Sequence, residues 1–346
     1  VELELKSGQT DALFTLARSF SEEGGMRLGN LSKAAKGYRL ASGYTGDDVK
    51  PLALVSTDKH DTVESCFINS LEHGLSHWHY HEQIYVERES VEALNEIKSS
   101  ISFIRQLLTV YGGVVPRRAS ALVRQELKWL EQELEWLNDY DYLEALLDDK
   151  GHALRKLDAR KFLVGELKLV QEALPDREEM LMLLNSARYT GLLLDLSRWI
   201  LTRGWQPFLD DKARDKMALT VEPFSVKQLD RTWAELMEAF PPERALNSQD
   251  YIDQQYRLMR NLYTGVSFAS LFDFEERNSF RLPWSDLLHG IDDLLKLRTL
   301  DNMVDKLEGD EQEQLQRWLS RQESSILHAM EQTRIICIEA EPYWQD

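Results

Sequence analysis

The most regular hydrophobic pattern in the chain is Asn95–Tyr111, NEIKSSISFIRQLLTVY. Its apolar residues fall at Ile97, Ile101, Ile104, Leu108 and Tyr111. Steps of four, three, four and three residues place them on one face of an α-helix. Lys98 and Arg105 share a second face, about two turns or roughly 10 Å apart. An apolar stripe beside a basic one suits a bundle helix that packs on one side and offers cations on another. A second copy lies at Asp250–Val266, DYIDQQYRLMRNLYTGV. With Arg260 aligned to Arg105, Ile252 falls under Ile97 and Met259 under Ile104.

Helical spacing continues through most of the chain after residue 51. The pattern predicts helices over Asp58–Glu87, Glu89–Tyr111, Ala119–Leu137, Tyr142–Asp149, Asp158–Ala173, Asp176–Arg203, Lys227–Phe240, Asp250–Phe272, Trp284–Leu307 and Asp310–Ile338. Gly112-Gly113, Pro116, Gly204, Pro241-Pro242 and Pro283 read as breaks. The nine Trp and the leucine stripes are assigned to the core. No second strand follows the first few residues.

Those first residues differ. VELELKSG alternates strictly, with Glu2, Glu4 and Lys6 on one side and Val1, Leu3 and Leu5 on the other. This is the pattern of a half-buried strand closed by Ser7-Gly8. A lone strand lacks hydrogen-bonding partners, so its sheet must come from elsewhere. Short helices are predicted at Asp11–Phe20 and Ser32–Ala41, and a linker at Asp47–Leu54. The chain begins at Val1 without a Met, which reads as the C-terminal part of something longer.

The two basic-stripe helices are each followed by a helix ending in an acidic turn, LEWLNDYDYL and LLKLRTLDNM. Placing Asp301 on Asp141 also matches Leu137 with Leu297 and Leu134 with Leu294. Kept order and spacing imply duplication. The predicted architecture is all-α: two four-helix bundles about a pseudo-twofold axis, basic stripes facing a shared cleft. The halves span about 57–204 and 205–340 within a domain of 51–346, preceded by a separate segment, 1–50.

Composition narrows the function. With 346 residues, 43% apolar and 29% charged, the chain is globular. A net charge of -18 argues against general nucleic-acid binding, which needs many uncompensated phosphate contacts, but leaves room for a local basic pocket. Cys66 and Cys337 are too few for a disulfide framework, which points to a reducing compartment, the cytoplasm. No apolar run approaches a membrane span, so no membrane partner is expected.

The candidate ligand residues are cations. Arg105, Arg257 and Arg260 can bind phosphate oxygens through forked donors; equally, they can pair with Asp139, Asp141 and Asp301. Arg117 and Arg118 follow Pro116 at a helix start, where backbone donors favour anions. Arg124 and Lys128 are i,i+4 on the next helix, and a solvated basic face is the competing reading for all four. Arg188, in Arg-Tyr-Thr, reads as structural. His73, His77 and His81 recur every fourth residue and could hold zinc, but no Cys or third-helix ligand accompanies them, so packed imidazoles are the reading. No serine sits in a nucleophile elbow, and no Gly-rich phosphate loop is present.

The duplicated pattern resembles the CHAD domain, an all-helical family that binds inorganic polyphosphate. The resemblance spans about residues 57–340. It is carried most specifically by SARYTGLLLDLSRWILTRGW, Ser186–Trp205, and by LPWSDLLHGIDDLLKLRTLDNMVDKL, Leu282–Leu307. The N-terminal strand with SKAAKGYRLA resembles the end of a CYTH domain, the barrel of inorganic triphosphatases. In that family inward carboxylates hold a divalent metal, Mg or Mn, and Glu2 and Glu4 would be remnants of such a site. The resemblance implies a polyphosphate-binding module attached to an upstream CYTH domain, its alternative role being an accessory scaffold for the triphosphatase. This chain alone is expected to be inactive, because one barrel strand cannot supply the remaining ligands. The family's basic helix carries a His, an Arg three on, paired basic residues and a final Arg. Here those positions are Asn95, Lys98, Ser102, Phe103 and Arg105. In the second copy the His and first Arg positions are Asp250 and Asp253, while Arg257 and Arg260 survive. The acidic turn is Asn138, Asp139 and Asp141. The motif thus leaves Lys98, Arg105, Arg257 and Arg260, and with Arg117, Arg118, Arg124 and Lys128 from the helix-start reading these are the candidate polyphosphate ligands.

Overall fold

The computed structural model describes residues 2–29, 31–148 and 154–345; Val1 of the predicted strand and Asp149 of a predicted helix lie outside the described residues. In chain order the helices are α1 (Asp11–Ser21), α2 (Lys33–Ala41), α3 (Val63–Glu87), α4 (Val91–Val110), α5 (Ala121–Glu133), α6 (Trp136–Leu147), α7 (Arg160–Glu172) and α8 (Arg177–Leu184). They continue as α9 (Ala187–Leu201), α10 (Asp211–Ala218), α11 (Val221–Ala239), α12 (Ser248–Ile252), α13 (Gln255–Ser267), α14 (Phe274–Asp301) and α15 (Gly309–Glu339). No described helix is long and apolar enough to cross a membrane. Two compact units interleave along the chain, Val1–Leu134 with Pro175–Val221 and Glu135–Leu174 with Glu222–Asp346. Helices α6 and α7, early in the sequence, therefore pack with the later helices.

In the first unit α3 and α4 form a long hairpin. Thr62 caps α3 by accepting from the Ser65 amide, and Ser90 caps α4 by accepting from the Ala93 amide. The predicted stripe is the core face of α4: Ile97, Ile101, Ile104, Leu108 and Tyr111 are all buried. The two helices meet at Gly74, where a Cβ would lie 2.9 Å from Ile104 Cγ1. Beyond this crossing Phe67 packs on Tyr111 and Trp205, with ring centres at 4.5 and 5.1 Å. Segment 219–221 returns to the start of α3 through the antiparallel bridge Thr62–Thr220.

The N-terminal segment docks on α9. Arg198 forks onto both Asp11 oxygens at 2.6 and 2.7 Å, and Arg18 reaches Asp195 at 2.6 Å. The Thr190 hydroxyl donates to the Met26 carbonyl, and the Gly25 amide to the Asn185 carbonyl at 2.8 Å.

The second unit has its own long hairpin, α14 with α15, closed at Gly290, where a Cβ would meet Met330 Cγ at 2.6 Å. One apolar cluster joins Leu143, Leu163 and Leu167 to Leu300 and Leu315. Another joins Phe240, Tyr251 and Leu258 to Trp284, Ile291 and Cys337.

Several predicted boundaries change. Residues 2–5 form no strand; nothing among the described residues supplies a ladder, and Glu2 instead pairs with exposed Lys33 at 3.4 Å. Pro283 does not break α14. Proline deprives the carbonyl four residues back, that of Ser279, of its donor, and Ser279 is exposed, so water can replace it. Asp176–Arg203 is two helices because Ser186 adopts an extended backbone and caps α9 through the Tyr189 amide. Asp250–Phe272 divides at Asp253-Gln254, where the Gln254 amide bonds to Tyr251, three residues back. Ala119–Leu137 divides after Glu133.

Candidate functional site

The cations of the first unit gather where α4, the turn Arg117–Ser120 and α5 meet. Pro116 directly precedes that 3-10 turn. Arg117 and Arg118 are both exposed and carry no ion pair among the described residues. Arg124, one turn into α5, is half-buried. Its Nε donates to the Ser120 hydroxyl at 2.9 Å and an Nη to the Leu108 carbonyl at the end of α4. That carbonyl belongs to the last turn of a helix, where acceptors lack intrahelical donors. Burial lowers the pKa of Arg124 from its ordinary value, and the positive charges of Arg117 and Arg105 lower it further. Arg117 and Arg105 are therefore close enough to Arg124 to repel its charge, the condition a polyanion relieves. Lys128 follows on α5, exposed.

Arg105 is not wholly open. It forms an ion pair with Glu131 of α5, and Ser102 donates to the other oxygen of that carboxylate at 3.1 Å. Ser102 occupies one of the paired basic positions of the motif, so here a hydroxyl orients the acid that holds the arginine. Lys98 is half-buried on the same helix. On α5, Glu126 accepts two bonds from Arg188, at 2.7 and 3.2 Å, and the guanidinium lies 4.0 Å from the Trp129 ring centre. Arg188 is structural, as its motif suggests.

In the second unit Arg257 and Arg260 are exposed on α13, whose buried residues include Leu258 and Asn261. Arg260 donates to the Tyr256 carbonyl one turn back at 3.0 Å, and neither arginine has an ion pair among the described residues. The acidic turn lies against this helix: burial and the negative charges of Glu135 and Asp139 raise the pKa of Tyr256, while a hydrogen bond with Asn138 opposes them. Asp250, at the His position of the second copy, is bound by Arg244 at 2.5 Å and by the Asn247 amide at 3.0 Å.

A sequence profile of the CHAD domain matches residues 69–299, more than half of the chain. The chain belongs to the CHAD domain family. Its fold is also similar to the crystal structure of the CHAD domain from the plant Ricinus communis, with a TM-score of 0.62 at 17% identity over 86% of this chain and 98% of that one. PptA from Streptomyces chartreusis superposes with a TM-score of 0.57 at 14% identity, over 83% of this chain and 100% of that one. At such identities the likeness is one of fold.

Within this CHAD domain the histidine run has partners of its own. His73 bonds to the Ala53 carbonyl and His77 to Glu96, each at 2.8 Å. The Lys50 amide donates to His81 Nε2, so Nδ1 carries the proton that it gives to the His77 carbonyl. Burial pulls the pKa of His79 down to about 4 and lowers that of His81. Glu2 and Glu4 do not fit a metal: both are exposed, Glu2 is paired with Lys33, and no group of three metal-binding side chains occurs among the described residues. Glu131 was not foreseen, because a partner 26 positions from Arg105 leaves no periodic trace in the sequence.

Proposed function

We propose that this CHAD domain binds inorganic polyphosphate or a related phosphate polyanion. Arg105, Arg117, Arg118, Arg124 and Lys128 would be its contacts in the first unit, with Lys98 beside them, and Arg257 and Arg260 its contacts in the second. The observation that carries the reading is Arg124, fixed by Ser120 and the Leu108 carbonyl and crowded by the charges of Arg105 and Arg117. A linear polyanion suits such a cluster, since each phosphate engages one or two guanidinium groups and releases condensed counterions. The net charge of -18 opposes approach at long range. At physiological salt, screening over about 8 Å leaves local contacts to decide.

A second reading has its own support. Glu131 occupies Arg105, and Asp250 is tied to Arg244, as in a scaffold that has replaced ligand contacts by internal ones. In that reading the domain orients or stabilises an upstream CYTH-type triphosphatase.

Titration of the full chain with long-chain polyphosphate at several salt concentrations separates the two. Binding at low ionic strength that fades steeply toward physiological salt is expected for the first. In the triple variant Arg117→Ala/Arg118→Ala/Lys128→Ala, which removes only exposed cations, affinity should drop by about tenfold or more and the salt dependence become shallower. No binding even at low salt would leave the scaffold.

A further inference from the structure

A different feature lies within the second unit, and its lining includes none of the cations discussed above. Between α11, α13, α14 and the C-terminal Tyr343-Trp344 is a cavity of about 40 Å³. Its most unusual occupant is Arg277, on the second turn of α14. Arg277 is 2% exposed, and its one side-chain hydrogen bond among the described residues is from an Nη to Asn278 Oδ1 at 3.3 Å. Its Nε and other Nη are buried without acceptors. Among the described residues no carboxylate pairs with it. Asp273 spends its side chain capping α14, accepting from the Glu275 and Glu276 amides, and Glu275 and Glu276 are exposed. Asp230, approaching from α11, is taken by the Trp344 indole at 2.7 Å and the Gln345 amide at 3.1 Å.

The neighbouring polar groups repeat the same deficit. Arg281, one turn on and also lining the cavity, has a buried Nε without an acceptor. The indole nitrogens of Trp233 and Trp284 and the side-chain amide nitrogen of Asn261 are likewise buried and unpaired, and all three residues line the cavity. Every orphan on this wall is an N–H donor. Buried donors normally find acceptors, and an unpaired buried guanidinium is among the costliest groups to leave alone. Burial lowers the Arg277 pKa, the Tyr343 phenol opposes this and the positive charge of Arg281 adds to it, so both side chains lie near Arg277, and all three residues line the cavity. A water occupies roughly 10–15 Å³ on this scale, so the cavity holds a cluster of about three waters or one small oxyanion.

We propose that this cavity binds a single small oxyanion of the size of orthophosphate, held by Arg277 and Arg281 and by the N–H groups of Trp233, Trp284 and Asn261. Five residues donating from several directions match a tetrahedral dianion better than a flat carboxylate, which two forked arginines would saturate. The anion is either free phosphate or the terminal group of a phosphate chain. Apolar and aromatic walls limit the site to one phosphate group.

The test titrates the full chain with orthophosphate, sulfate and acetate against chloride of equal ionic strength, following heat and the thermal midpoint. Saturable binding of orthophosphate or sulfate, exceeding that of acetate, is expected. Arg277→Met and Arg281→Met should each weaken it roughly 10- to 100-fold, as loss of charge-assisted hydrogen bonds predicts. Half-buried Arg281 serves as the second variant should Arg277→Met not fold. Tripolyphosphate that competes with orthophosphate, and loses this in the same variants, assigns a chain end; no competition assigns the free anion. Absence of saturable oxyanion binding, preference for acetate, or unchanged orthophosphate binding in both arginine variants would overturn the proposal.

Discussion

Glu82 is the buried acid whose titration should be visible in the stability of the whole first unit. It sits on α3, 4% exposed, and accepts from the Tyr189 hydroxyl of α9 at 2.8 Å. Tyr189 in turn accepts from the Trp78 indole at 2.8 Å, and Arg27 lies 3.9 Å from the other carboxylate oxygen. Burial raises the pKa of Glu82 to about 7, against smaller opposing effects of Tyr189 and Arg27. From an ordinary 4.5 to about 7, at 1.36 kcal/mol per unit, this is about 3 kcal/mol of linked free energy. Because the folded pKa is the higher, the folded state keeps its proton where the unfolded chain has lost it. The contribution is fully present below pH 4.5 and is lost as pH rises through 7. Glu82→Gln stays neutral and can still accept from Tyr189. Chemical unfolding of both proteins from pH 4.5 to pH 8 should show the variant gaining about 3 kcal/mol relative to the parent. His79 and His81, whose lowered pKa values make stability rise with pH, titrate in both proteins and cancel in the difference. A difference that stays flat across this window would refute the account of Glu82 as a destabilised buried carboxylate.

Three further outcomes follow from packing. Gly74→Ala should destabilise by about 1–2 kcal/mol in chemical unfolding, since overpacking against Ile104 and Phe103 outweighs the gain in helix propensity. Gly290→Ala meets the flexible Met330 instead, so its cost should be clearly smaller, and Met330→Ala should largely relieve it in a double-variant cycle. Asp273→Ala removes acceptors from the Glu275 and Glu276 amides at the start of α14 and should lower stability by about 1 kcal/mol, with Asp273→Asn costing less.

Much of the fold was legible because helices in a bundle must bury a stripe. Ile97, Ile101, Ile104, Leu108 and Tyr111 repeat at helical spacing, and all five are in the core. Breaks were less legible. Ser186 restarts a helix inside a continuous apolar pattern, because a cap is set by one side chain rather than by a period. Pro283 misleads in the other direction, since the residue whose carbonyl loses its donor, Ser279, is exposed to solvent. The alternation of VELELKSG described a strand's chemistry but not its partner, and without a partner no ladder forms. At the candidate site the sequence supplied the cations but not their counter-ions. Glu131 and Glu126 bind Arg105 and Arg188 across helices, a pairing that no local spacing encodes.

That last point separates the kinds of arginine in this CHAD domain. Arg188 and Arg198 are matched to carboxylates in bidentate geometry, so their charges are largely spent inside the protein. Arg124 is anchored by neutral acceptors, which fix its position while leaving its charge uncancelled. Arg117, Arg118, Arg257 and Arg260 carry no counter-ion among the described residues but are exposed, where solvent screens them at little cost. Arg277 alone of these is both buried and without a carboxylate. In a chain with 59 acidic residues against 41 basic ones, counter-ions are abundant, so leaving Arg277 and Arg124 without them is not a matter of supply. An uncancelled charge in a fixed position is what anion recognition requires. The two positions differ in setting: Arg124 stands in a surface cluster with Arg117, and buried Arg277 lines a cavity of the second unit.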